Sequence, residues 1–269
     1  MRRSSIARLV FPVVCCLLVL SGCAGKQPKT LPLAPAEEQE AAALWSGFVA
    51  GKRPSALDAD IRLNWDVLGS KGGVSATLQV QRPALLRFAA NDPLGRSLLL
   101  AVADATTFIL VDNRIGHVYQ GPIHAKFWQS YVPAAVAPED LLPLLGGFLP
   151  EGEALQATPA QDAASQGFWY QWPDMRAVRH HVLLDRGSGT MQQHLLVDAQ
   201  GRTMLELHYA GYRKDAKSGF VWPARVQISG KAVNGTLTLQ VEQIYSHTPQ
   251  KAAAFRLAPP SHFTVEQVQ

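Results

Sequence analysis

The chain has 269 residues, with 25 Lys+Arg against 21 Asp+Glu and a formal net charge of +4. Setting aside Arg2, Arg3 and Arg8 at the extreme N-terminus leaves 22 basic side chains against 21 acidic ones, a balance that offers no basic patch to argue for a nucleic-acid partner. The three cysteines, Cys15, Cys16 and Cys23, all fall near the N-terminus, so the rest of the chain has no thiol for a disulfide, a nucleophile or a Cys-ligated metal.

The three arginines precede an apolar run from Leu9 to Leu20, which ends in Leu20-Ser21-Gly22-Cys23. That run is shorter than the roughly 20 residues a spanning helix needs, and its charged start and small-residue end are those of a removable signal. Leu-Ser-Gly-Cys resembles the lipobox of bacterial lipoproteins. The resemblance implies cleavage after residue 22 and lipid attachment at Cys23. Residues 23–36, with three prolines and no apolar period, read as a lipidated N-terminus and extended tether. Ala24 follows the cysteine in place of the aspartate that marks inner-membrane retention in enteric bacteria, so outer-membrane residence, facing the periplasm, is expected.

Residues 37–269 read as a single domain. Ala36 to Gly51 is expected to be a helix, with Glu37 and Glu38 in its first turn. The period then falls to two: Ile61, Leu63, Trp65 and Val67 alternate with Asp60, Arg62, Asn64 and Asp66, a strand with one wet face. A turn is expected at Lys71-Gly72-Gly73, followed by a second alternation through Val74, Ala76, Leu78 and Val80. Strands are expected at 85–90, 97–102, 107–111 and 117–119.

The pattern breaks at Ile123 to Tyr131, where Ile123, Phe127, Trp128 and Tyr131 recur at helical spacing. Pro138 opens another helical segment, with Leu141, Leu142, Leu144, Leu145 and Phe148 making it apolar nearly all round, and Gly146-Gly147 ending it. Residues 151–167 are polar and read as a loop. Strands resume at 168–172, 179–184, 192–197, 203–209, 221–228 and 236–244. A meander of antiparallel strands interrupted by short helices fits a mainly β fold, one curved sheet wrapped around helices. Leu63, Trp65, Leu78, Phe127, Trp128, Leu141 and Leu145 are the residues expected to face an apolar interior.

Several runs resemble the outer-membrane lipoprotein receptor family LolB: Asn91-Asp92-Pro93-Leu94-Gly95, Val111-Asp112-Asn113, Leu144 to Pro150, Tyr209-Ala210-Gly211-Tyr212 and Trp222-Pro223-Ala224-Arg225-Val226. The resemblance implies an incomplete antiparallel β-barrel, a half-barrel covered by helices around an apolar cavity. It further implies that the protein accepts acylated lipoproteins from a LolA-like periplasmic carrier and inserts them into the outer membrane. By the same resemblance, Pro93, Leu94 and Gly95 form a protruding loop whose leucine enters lipid. On physical grounds Asp92-Pro93-Leu94-Gly95 suits a type I turn, with Asp first, Pro second and Gly fourth.

Other chemistry finds little footing. The sequence has no Gly-x-Ser-x-Gly elbow, P-loop or His-Glu-x-x-His motif, so neither an enzyme nor a cofactor is expected. His180-His181 would point to opposite faces of a strand and has no carboxylate at ligand spacing, so no metal is expected. The aromatic run Phe168 to Trp172 fits either a cavity lining or a core strand. Besides a transfer receptor, a lipid- or lipoprotein-binding envelope sensor and a structural lipoprotein of the same fold remain alternatives; a filled interior would favour the last.

Overall fold

The computed structural model describes residues 28–149, 156–174 and 178–269; Cys23 and Pro150 lie outside the described residues. The chain begins with an edge strand β1 (Thr30–Leu31) and helix α1 (Pro35–Ala50), then the hairpin β2 (Ala56–Val67) and β3 (Ser70–Gln81). A meander follows through β4 (Leu85–Asn91), β5 (Ser97–Ala103), β6 (Thr107–Asp112) and β7 (His117–Pro122). The helical part comprises α2 (Lys126–Gln129) and α3 (Leu141–Gly146). Next come β8 (Thr158–Asp162), β9 (Gly167–Pro173), β10 (Arg179–Asp185), β11 (Met191–Val197), β12 (Thr203–Ala210) and the small ribbon β13 (Arg213–Lys214) with β14 (Val221–Trp222). The chain closes with β15 (Arg225–Gly230), β16 (Gly235–Ser246) and β17 (Thr264–Gln267).

Among the described residues, fifteen strands form one sheet in the order β1-β8-β9-β10-β11-β12-β15-β16-β2-β3-β4-β5-β6-β7-β17. Neighbours are antiparallel except β17, which runs parallel to β7. The two edges, β1 and β17, do not meet, so the sheet is an open half-barrel. The long strands β2, β3 and β16 form its centre, pairing Leu63 with both Val74 and Leu239.

Helix α1 starts at Pro35, whose missing N–H costs nothing at that position, and the Glu37 carboxylate accepts the Ala34 N–H at 3.3 Å. Ala41 and Trp45, four apart on one face, are buried against β9 to β12. Trp45 stacks on Tyr170 with centroids 4.5 Å apart, and the Tyr170 hydroxyl donates to the Ala41 carbonyl at 2.8 Å. Helix α3 ends at Gly147, in the left-handed region. Its Leu142 and Leu145 enter the core over β2 to β6, and Leu144 enters the core under α1. A helix apolar all round thus joins the two halves of the core.

Five expectations are corrected. The turn after β2 lies at Leu68-Gly69, not at Lys71-Gly72-Gly73; those glycines belong to β3 and face Trp65 and Asn64 across the ladder. The helical spacing from Ile123 to Tyr131 yields only the single turn α2, because the segment is fixed by its aromatic contacts with the sheet. The polar 151–167 stretch contains β8, held by pairing with β9 on one side and β1 on the other. The end of the expected tether is accordingly part of the sheet. The strand expected over 221–228 is divided into β14 and β15 at Pro223-Ala224.

Candidate functional site

Strand alternation places Ile61, Leu63 and Trp65 of β2, Val74, Ala76 and Leu78 of β3, and Leu237, Leu239 and Val241 of β16 on the concave face. The helical segment covers part of this face. Leu78, Trp128 and Leu145 are buried together there, and Phe127 and Leu141 pack against them half-buried. Aromatic stacking holds the cover in place: Trp128 lies 4.7 Å from Phe108, and Phe127 lies 4.3 Å from Tyr119, centroid to centroid. Leu63 and Trp65 stand apart, half-buried towards the end of the β2–β3 hairpin, where the Trp65 Nε1–H donates to Ser70 Oγ at 2.9 Å. The fold therefore unites five of the seven interior candidates.

The covered face is largely filled by the protein's own side chains. A cavity of about 170 Å³ remains between Leu86 and Ala103 of the sheet and Trp128, Val132 and Leu141 of the cover. That is room for about six waters at roughly 30 Å³ each, below the ~300 Å³ at which small-molecule pockets begin. A larger space of about 580 Å³ opens at the far end, between Phe48, Arg53, Phe148, Tyr212 and Phe220. Of the aromatic run, Phe168, Tyr170 and Trp172 belong to the core beneath α1, and Trp169 faces the other side of the sheet.

His180 and His181 do point to opposite faces. His180 Nδ1 lies 3.0 Å from His194 Nε2 beneath the stacked ring of Trp172. The expectation of no nearby carboxylate is corrected by the fold: the β9–β10 connection brings Asp174 to 3.5 Å from His180 Nε2. Among the described residues no cluster of three or more His, Cys, Asp or Glu has an arrangement for a metal ion. Burial, reinforced by His180 and His181, holds the His194 pKa well below its ordinary value. Burial first, then Arg179 and His180, lower that of His181 to about 4.

The turn between β4 and β5 is built around Asp92. Its carbonyl accepts the Gly95 N–H at 2.9 Å, closing the four-residue turn, and Gly95 sits at φ +79°. One carboxylate oxygen accepts the Leu94 and Arg96 N–H groups at 2.8 and 2.9 Å; the other accepts Arg96 Nε–H at 2.6 Å. With its backbone so occupied, the Asp92 carboxyl is held below the usual carboxylate range, chiefly by the Arg96 N–H. Leu94 makes no use of this scaffold for packing and is 80% exposed.

No protein-family model and no curated protein sequence matches the chain. Solved structures do. A DUF1329 family protein from Desulfovibrio piger aligns at TM-score 0.54 and 9% identity, over 84% of this chain and 98% of its own. A LolA superfamily protein from Nitrosomonas europaea aligns at 0.50 and 10%, over 81% and 97%. A putative outer membrane lipoprotein-sorting protein domain from Vibrio parahaemolyticus aligns at 0.52 and 11%, over 82% and 97%. The chain has a LolA-like fold. At these identities the likeness is one of architecture: an open sheet with its apolar concave face under short helices. Within the LolA-like frame the cover is α2, α3 and the segment joining them, and α1 closes the other half. Among the described residues no helix is long and apolar enough to cross a membrane.

Proposed function

We propose that this protein is a lipid-anchored receptor of LolB type, which takes acylated lipoproteins from a LolA-like periplasmic carrier and delivers them into the outer membrane. The exposed Leu94, fixed on the Asp92-Pro93-Leu94-Gly95 turn of a LolA-like sheet, carries the reading. A side chain of this size gives roughly 1.5–3 kcal/mol on entering an apolar phase, which suits a transient contact with lipid rather than an anchor. Attachment is assigned to acyl chains on Cys23, preceded by a signal over 1–22 and followed by the tether. No catalytic step, cofactor or metal is invoked.

Acyl chains would enter the concave face by displacing the cover. The cover suits displacement because α2 is a single turn of four residues, too short to persist without its tertiary contacts. Withdrawal of Phe127, Trp128 and Leu141 would join the existing 170 Å³ cavity to the apolar faces of β3 to β6. The packed interior favours a second reading, a structural lipoprotein whose concave face serves only as its core. Incubation of the full chain with a carrier–lipoprotein complex separates the two: cargo changes hands under the first reading and stays with the carrier under the second.

A further inference from the structure

Two more hairpin tips share the construction of the Leu94 turn. The β2–β3 turn exposes Leu68 and the β6–β7 turn exposes Ile115, at 90% and 59% respectively. Each of the three apolar residues directly precedes a glycine in the left-handed region: Gly69 at φ +80°, Gly95 at +79° and Gly116 at +67°. The glycine is what a tight hairpin requires; the apolar residue before it is not. At the other described hairpin turns with a positive-φ glycine the preceding residue is Ser188, Gln200, Ser218, Ser229 or Asn234. Among the described turns that carry such a glycine, exposed apolar tips are thus confined to the β2–β7 half of the sheet.

The meander also brings these three tips to one end. Ser75 pairs with Asn91, Asn91 with Ser97, Leu99 with Asp112, and Asp112 with His117. Alternate turns of such a ladder lie on the same side, successive hairpins two strands or about 10 Å apart. Asn113 ties the second and third tips directly, its N–H donating to Leu98 O and its side-chain amide to Ser97 Oγ, each at 3.0 Å.

Each tip carries an acid–base pair. Asp66 pairs with Lys71 at 2.8 Å, Asp92 with Arg96 at 2.6 Å and Asp112 with Arg114 at 2.5 Å. In the last two pairs the carboxylate is almost covered while the guanidinium is mostly exposed. The end of the sheet therefore presents apolar points with outward cations just behind them. Long basic side chains keep their heads in a polar layer while apolar neighbours sit deeper. Tyr131, half exposed and within electrostatic reach of Asp112 and Arg114, adds an aromatic ring near the third tip.

We infer that Leu68, Leu94 and Ile115 together form a bilayer-facing rim, inserted at three points, with Lys71, Arg96 and Arg114 at the level of the lipid phosphates. The occupant is a lipid surface because separate projecting side chains offer no continuous face of the roughly 800 Å² per partner that a stable protein contact buries. The inference extends the membrane step of the proposed function to two further residues and orients the concave face with this end toward the bilayer.

The test uses the full chain in vesicles of phosphatidylethanolamine and phosphatidylglycerol, with or without brominated acyl chains. Leu68→Cys, Leu94→Cys and Ile115→Cys each carry a bimane probe, with the parent chain's labelling subtracted. Val221→Cys, also apolar and 48% exposed but in the separate β13–β14 ribbon, away from the three tips, is the control. Circular dichroism confirms that each variant is folded. Bromolipid quenching at all three tips, severalfold above that at residue 221, is the expected result. Quenching at 94 alone overturns the rim and leaves the proposed transfer function standing. Quenching at none overturns the rim and the lipid-insertion step together. Shielding of the tips by an added carrier protein instead of lipid makes them a protein-docking edge and likewise overturns the rim. Three-point quenching without cargo transfer supports the rim and removes the receptor reading.

Discussion

The indole of Trp65 lies where a side chain at Gly72 would be: a Cβ on Gly72 would approach the ring to 2.6 Å. The two residues are direct partners across the β2–β3 ladder, so the glycine gives up its own contacts to let a large ring lie flat over the neighbouring strand. Gly72→Val should lift the ring, remove the Trp65–Ser70 hydrogen bond and cost about 1–2 kcal/mol. Trp65 is half exposed and has room to move, so the domain should stay folded. Tryptophan emission and urea midpoint, read on the same samples, check both parts.

Leu94→Glu should leave stability within about 0.5 kcal/mol, since the side chain packs on nothing and the turn is held by Asp92. A two-stage assay then divides its function: cargo taken from the carrier should be retained, and cargo recovered in liposomes should be lost. Loss at both stages would place a receptor surface, not a lipid contact, at this turn.

Leu63 and Leu78 share the concave face and differ in cover. Leu78→Asn buries an amide among Leu86, Phe108 and Trp128 and should cost about 3–5 kcal/mol through lost packing and desolvation. Leu63→Asn, at a half-buried position, should cost about 1 kcal/mol or less. If acyl chains bind here, the milder variant is the informative one, because weakened fatty-acid binding by Leu63→Asn cannot be traced to unfolding.

Acid should destabilise the fold through its buried histidines. His194 and His181 stay neutral when folded but protonate in the unfolded chain below about pH 6.5. The unfolded state then holds more protons, so stability falls as pH drops from 6.5 towards 4 and is insensitive to these groups above 6.5. Each histidine contributes a slope of up to about 1.4 kcal/mol per pH unit. Urea midpoints at pH 7.5, 6.0 and 5.0 measure it, and His194→Gln should make the line shallower.

Much of the sheet was legible because half-buried strands alternate strictly, as Ile61 to Val67 and Val74 to Val80 do. The glycine pair at 72–73 was misleading for a physical reason: glycine marks both a reversal of the chain and a place where a neighbour needs space, and only the register tells the two apart. Strands β1, β8 and β17 left little trace, being two, five and four residues long and stabilised by partners remote in sequence. The Leu94 turn was readable from four consecutive residues. Its kinship with Leu68 and Ile115 was not, since it depends on which hairpins the strand order brings to one end.

The parallel strand β17 has a consequence for the chain's behaviour among its own copies. Without Thr264 to Gln267 the outer N–H and C=O groups of β7 would be bare, beside the apolar Val118 and Tyr119, and a bare edge is a template for another molecule's strand. Chains tethered to one surface would meet edge to edge far more often than chains free in solution. Removing residues 264–269 would replace the four-residue edge of β17 with the longer six-residue edge of β7, and should raise self-association, most readily where chains are crowded.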